Sequence, residues 1–154
     1  MMKIGLLKYK DIIESTKFKE LGTFIAHGKT TTLKHSIDVA KLCIKIVKIF
    51  KFKVNKDELI KSALLHDLFL YDWHKPRKNV GLHGFTHSKT AADNAKKFFD
   101  INDNVYKNIL SHMWPLNITK IPKTKEGAIV CIADKICSLR ETLDRWDKKK
   151  QKKK

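Results

Sequence analysis

Long apolar runs, paired thiols, turn-forming residues and arginine are all scarce in this 154-residue sequence, and each shortage narrows what the chain can be. No stretch of about 18 apolar residues occurs, so no transmembrane helix is expected. The opening segment, MMKIGLLKYKDIIE, begins basic but has no long apolar stretch and no small-residue cleavage site. A secretory signal is therefore not expected, and a cytoplasmic location is. Cys43, Cys131 and Cys137 form no C-x-x-C pair, which argues against a disulfide framework and for buried free thiols. Only six glycines and three prolines interrupt the chain, so long unbroken elements are expected.

Positive charge is abundant by contrast. The formal net charge is +17, but six of the lysines sit in the last seven residues, KKKQKKK. Of 33 basic residues only Arg77, Arg140 and Arg145 are arginine, and the lysines are not interleaved with aromatic residues. Base readout and single-strand binding favour arginine, amides and aromatic platforms. Nucleic acid is accordingly not an expected partner, apart from weak binding by the tail. Like charges repel, so the basic tail is expected to be disordered.

Apolar spacing predicts an all-α chain. A short helix is expected over Leu6–Phe18, and a longer one over Thr30–Phe50 with Leu33, Ile37, Ala40, Ile44 and Val47 in phase. Asn55 with Glu58 three residues on has the capping-box pattern for a third helix ending at His66. Residues 68–85 read as a loop. A fourth helix is expected from Thr86 or Ser88 to near Phe99, and a fifth from Asn102 or Asp103 to near Met113. Residues 114–123 look irregular, and a last helix should run from Lys125 to Trp146. No strand alternation is evident.

Two aspartates stand where an unpaired charge is costly. Asp67 ends the apolar run SALLHD beside His66, and Asp134 lies inside EGAIVCIADKICSL. His35 sits in mid-helix in TTLKHSIDVA, and His112 near the end of NVYKNILSHMWP. Histidines and aspartates from different helices of one small domain point to a shared cation, because bundles build metal sites from facing helices. Imidazole with carboxylate and no thiolate suits Fe, Mn, Zn, Ni or Co rather than Mg or Ca.

The order His, His-Asp, His, Asp, with the doublet closing an LLHD helix and the last aspartate in an IADK helix, resembles the HD superfamily of phosphohydrolases. The resemblance covers roughly residues 27–142. His87, in THSKTAADNA, and His112 match the two extra histidines of small bacterial two-metal HD proteins, including HD-type diadenosine-tetraphosphate hydrolases. The blocks HDLFLYDWH, HGFTH and HMWPL also look like an uncharacterised family of small bacterial HD proteins. The chain departs from the diadenosine-tetraphosphate hydrolases in lacking a lysine soon after the doublet; Lys75 comes late. The resemblance implies a single HD-type helical bundle at 27–146, after an N-terminal helical segment at 1–26 and before a basic tail at 147–154.

It further implies one or two divalent transition-metal ions. His35, His66, Asp67 and Asp134 would hold the first; Asp67 would bridge to a second, held by His87 and His112. Asp67 and His66 would be central to catalysis, with a metal-activated water attacking phosphorus. Lys135, His83 and His27 are candidate contacts for a small phosphorylated substrate, a nucleotide among the options. His83 precedes His87 by four, but Gly84 between them argues against a helix there. Asp72 and Trp73, in the loop expected over the site, are candidates for a base or stacking role; Met113 and Trp114 are expected in the core. The GKT at Gly28–Thr30 is not a phosphate-binding P-loop, since Thr23 stands where the motif needs glycine. Two rival readings remain open: a di-iron oxygenase on the same six-ligand frame, and a non-catalytic module that binds nucleotide or nucleic acid. Oligomeric state is not legible.

Overall fold

The computed structural model describes residues 4–75 and 82–151, with the side chains of residues 145–151 excepted. Its elements confirm an all-α architecture. Helices α1 (Lys10–Glu14) and α2 (Thr16–Glu20) follow a 3₁₀ segment at Ile4–Tyr9. A hairpin of β1 (Ile25–His27) and β2 (Thr30–Thr31) precedes α3 (Thr32–Phe50) and α4 (Lys56–Leu65). Then come α5 (His83–Phe98), α6 (Asp103–Ser111) and α7 (Lys125–Gln151).

Several expected boundaries move. The single N-terminal helix is broken at Ser15, whose backbone is extended and whose hydroxyl accepts from Phe18 N–H to cap α2. A strand pair exists after all. Gly28 and Lys29 of the GKT segment are its turn, with Gly28 at φ 64°, where glycine avoids the steric cost. That hairpin occupies the predicted first turn of α3, which starts instead at Thr32 behind the Thr31 cap. Asn55 does cap α4, accepting from Asp57 and Glu58 N–H. The reciprocal half of the box is supplied from elsewhere: Asn55 N–H donates to Glu126, while Glu58 accepts from Asn102 and Asn104. α5 begins at His83, before Gly84, so the loop after the doublet is shorter than predicted. Part of that loop, residues 76–81, lies outside the described residues. α7 runs five residues past Trp146 to Gln151, and the expectation of a disordered tail falls largely outside the described side chains.

α4 organises the bundle. Leu59, Ile60, Ala63, Leu64 and Leu65 are all buried, so the helix is apolar on nearly every side and touches α3, α5, α6 and α7. Its C-terminal end therefore opens at the centre of the domain. The N-terminal segment joins the same core through Leu6, Phe18 and Leu21, each fully buried. Such burial contributes roughly 1.5–3 kcal/mol per large side chain. Cys43, Cys131 and Cys137 are buried free thiols, as expected.

Candidate metal centre and cleft

The doublet leaves α4 just where its intrahelical hydrogen bonds run out. His66 is the C-cap, and its Nδ1–H donates to the Ala63 carbonyl at 2.8 Å. The same device recurs at the end of α6, where His112 Nδ1–H donates to Ile109 O at 2.7 Å. In α5, His87 Nδ1–H donates to His83 O at 2.8 Å. A main-chain carbonyl accepts only, so each bond makes Nδ1 the donor and, in the neutral ring, leaves an Nε2 lone pair pointing inward. His66 Nε2 is buried with no hydrogen-bond partner, and His87 and His112 present Nε2 to each other at 3.0 Å. Two lone pairs at that separation repel unless a proton or a metal ion lies between them. Backbone-anchored imidazoles with converging free nitrogens are the usual arrangement of metal-ligating histidines.

Asp67 stands between two groups of imidazoles. One of its oxygens lies 3.6 Å from His66 Nε2 and 3.8 Å from His35 Nε2. The other lies 3.4 Å from His87 Nε2 and 3.6 Å from His112 Nε2. Asp134, from α7, faces His35 Nε2 at 3.1 Å and His66 Nε2 at 3.7 Å, and accepts from Ser138 Oγ–H at 3.2 Å. Three overlapping triads, His35–His66–Asp67, His66–His112–Asp134 and Asp67–His87–His112, have ligand atoms within 4.8 Å of one another. The buried groups could thus hold a divalent metal.

The electrostatics differ across this cluster. Burial would raise Asp67, but the facing His66, His87 and His112 hold it well below the usual carboxylate range. Asp134 is likewise held down against burial, by His35 and His66. Burial opposes charge on His35, yet hydrogen bonds to Asp134 and Glu141 outweigh it and push it up to about 10. His66 also moves upward, because Asp67 and Asp134 outweigh its burial. His112 goes the other way, pushed down to about 3 by burial and by His87 and His66.

The family model described as HD domain matches residues 32–139. The chain belongs to the HD-domain superfamily. No curated protein and no solved structure matches it. HD domains bind metals and are generally metal-dependent hydrolases, and the buried His and Asp cluster of this HD domain is compatible with that chemistry.

Over the cluster opens a cleft of about 690 Å³, floored by Asp67, His87, His112 and Asp134. Of the residues picked from sequence, His27, His83, Lys135 and Trp73 all line it. His27 comes from β1, its ring 5.5 Å from that of His35, and burial shifts it downward. His83 opens α5, stacks on His87 at 4.4 Å and on Trp73 at 5.0 Å, and hydrogen-bonds through Nδ1 to Tyr71 at 2.9 Å. Burial and the neighbouring His87 push it down to about 4. It belongs to none of the ligand triads. Lys135 Nζ donates to His112 O at 3.0 Å and to Cys131 O at 3.4 Å. Asp72 turns away and pairs with His74 and Lys75.

Two expectations are corrected. Met113 lines the cleft, and Trp114 is 39% exposed; neither is a core residue. The α6 helix ends at Ser111, so the chain at Met113–Leu116 passes along the cleft rim and not into the core. Glu141 and Ser138 escaped the sequence reading. Both lie in phase with Asp134, Ser138 four and Glu141 seven residues on, and that helical spacing is the signal that could have found them.

Proposed function

We propose that this chain is a metal-dependent phosphohydrolase that cleaves a small phosphorylated substrate by attack of an activated water on phosphorus. The observation that carries the reading is the placement of Asp67, one oxygen toward His35 and His66 and the other toward His87 and His112. That arrangement suits a carboxylate bridging two ions. His35, His66 and Asp134 would hold one metal with Asp67, and His87 and His112 the other. When bound, the ions supply Lewis acidity, which lowers the pKa of water and offsets charge on the phosphoryl oxygens.

The chain's own residues supply the rest. Ser138 fixes the Asp134 carboxylate, and main-chain carbonyls hold three imidazoles in their acceptor tautomers. Lys135 reaches the cleft and would exchange the His112 carbonyl for a phosphoryl oxygen. His27 and His83, both shifted downward, would contact substrate as neutral donors or acceptors. Trp73, Phe69 and Leu116 give the wall an apolar surface for the organic part of the substrate, a nucleotide base among the candidates.

The test is phosphate release from a panel of nucleotides, phosphomonoesters and dinucleoside polyphosphates, with Mn, Fe, Co, Ni or Zn added to metal-free protein. Chelator-sensitive turnover that Asp67→Ala abolishes is expected. The same nitrogen and oxygen donors, with no thiolate among them, also suit a di-iron oxygenase. Oxygen uptake in the iron-loaded protein without phosphate release would replace the hydrolase reading by that one. Substrate-class binding without turnover under any metal would make the domain a non-catalytic module.

A further inference from the structure

Three of the four site imidazoles anchor Nδ1 to a carbonyl three or four residues back. His35 does not. Its Nδ1 lies 3.1 Å from each carboxylate oxygen of Glu141, 106 residues away on α7. Asp134 on the same helix, seven residues earlier, faces the opposite nitrogen of the same ring at 3.1 Å. The His35 ring is fully buried and clamped between two carboxylates of one helix face. A carbonyl and a carboxylate differ as acceptors. Both fix ring orientation and tautomer, but only the carboxylate adds negative charge and makes the free nitrogen a stronger donor.

We infer that Glu141 is a positioning residue that sets the metal affinity of the Asp134 half of the site, acting through His35. The inference rests on the metal-site reading above and adds a residue to it. Glu141 belongs to none of the ligand triads, so it works behind the ligand and not as one. It also explains why a single long helix carries both carboxylates: one rigid element fixes their spacing around the imidazole.

The experiment is metal titration with Mn or Zn against a chromophoric chelator, on full-length wild type, Glu141→Gln and Glu141→Leu, with circular dichroism to verify folding. Histidine ¹⁵N spectra report the His35 tautomer independently of activity. Removing such an outer partner typically weakens metal affinity by roughly 10–100-fold. Glu141→Leu should show that loss for one ion and not for the other, with mixed His35 tautomers. Glu141→Gln keeps an oxygen acceptor but not the charge, so it should retain the tautomer and fall between. Wild-type affinity in a folded Glu141→Gln and Glu141→Leu would overturn the inference while leaving the metal site standing. No metal bound by wild type would overturn the site and the inference together. Should Glu141→Leu fail to fold, the Gln variant decides.

Discussion

The two sides of Asp67 are built from the same residue types and behave oppositely. On the α3–α7 side, His35 and His66 face carboxylates, and both move upward in pKa, His35 to about 10. On the α5–α6 side, His87 and His112 face each other, and His112 is pushed down to about 3. Burial disfavours charge on both sides; what differs is whether an anion is in contact to offset it. The first side has a negative potential waiting for a cation. The second has lone pairs but little charge beyond Asp67 itself. Affinity for a divalent ion should follow that order, and ions should leave the second side first on dialysis against chelator.

The largest expected effect removes what the two sides share. Asp67→Ala should abolish binding of both ions, beyond the ~100-fold loss typical of an outer-partner change, by metal analysis of protein purified without chelator. Asp67→Ala protein with full metal content would sink the bridging assignment. Next, His87→Ala or His112→Ala should cost one ion and leave the other, whereas His35→Ala should lower total content further. Equal losses from all three would erase the distinction between the sides.

A smaller effect concerns how α6 and α7 are held together beneath the site. Asn108 is buried; its Nδ2–H donates to Ser62 Oγ at 3.2 Å and its Oδ1 accepts from Thr124 at 2.6 Å. Thr124 in turn accepts from Gly127 N–H, capping the start of α7. Asn108→Ala leaves both hydroxyls short of a partner and should lower stability by about 1–3 kcal/mol in chemical denaturation. Metal stoichiometry should be unchanged, since no ligand is touched.

The smallest effect is a pH dependence of the metal-free protein. His35 is raised above its unfolded value of 6.5 to about 10, so its stabilisation is complete below 6.5 and is lost as pH climbs through 10. His112 is depressed from 6.5 to about 3, so unfolding takes up its proton first and stability falls as pH drops from 6.5 toward 3. Asp67 and Asp134, both held low, steepen that acid fall below their ordinary 3.8. Melting temperature should therefore peak near neutral pH. His112→Gln should flatten the acid limb and His35→Gln the alkaline one; indifference of both limbs would show that the two sides titrate alike.

Much of this site was legible residue by residue. An aspartate closing an apolar helix, or buried within one, carries its anomaly in its immediate neighbours, and His66, Asp67 and Asp134 were visible on that ground. The helix ends were less so. The hairpin at Ile25–Thr31 has too few residues to show alternation, and Gly84 looked like a helix breaker although α5 accommodates it. An added Cβ at Gly84 would meet only Leu116 Cδ2, at 3.0 Å, the far end of an exposed side chain that can shift to relieve the contact. Met113 and Trp114 look like core residues by type, but their placement depends on where α6 stops.

Sequence alone therefore determined the all-α class, the order of histidines and aspartates that marks the HD family, and three thiols with no pairing pattern. These follow from periodicity and from neighbours within a turn or two. The tertiary structure decided which oxygen of Asp67 faces which imidazoles, that His87 and His112 meet nitrogen to nitrogen, and that Glu141 backs His35 from 106 residues away. Such relations depend on how five helices cross, and no short-range pattern encodes the direction a side chain takes toward a partner on another helix.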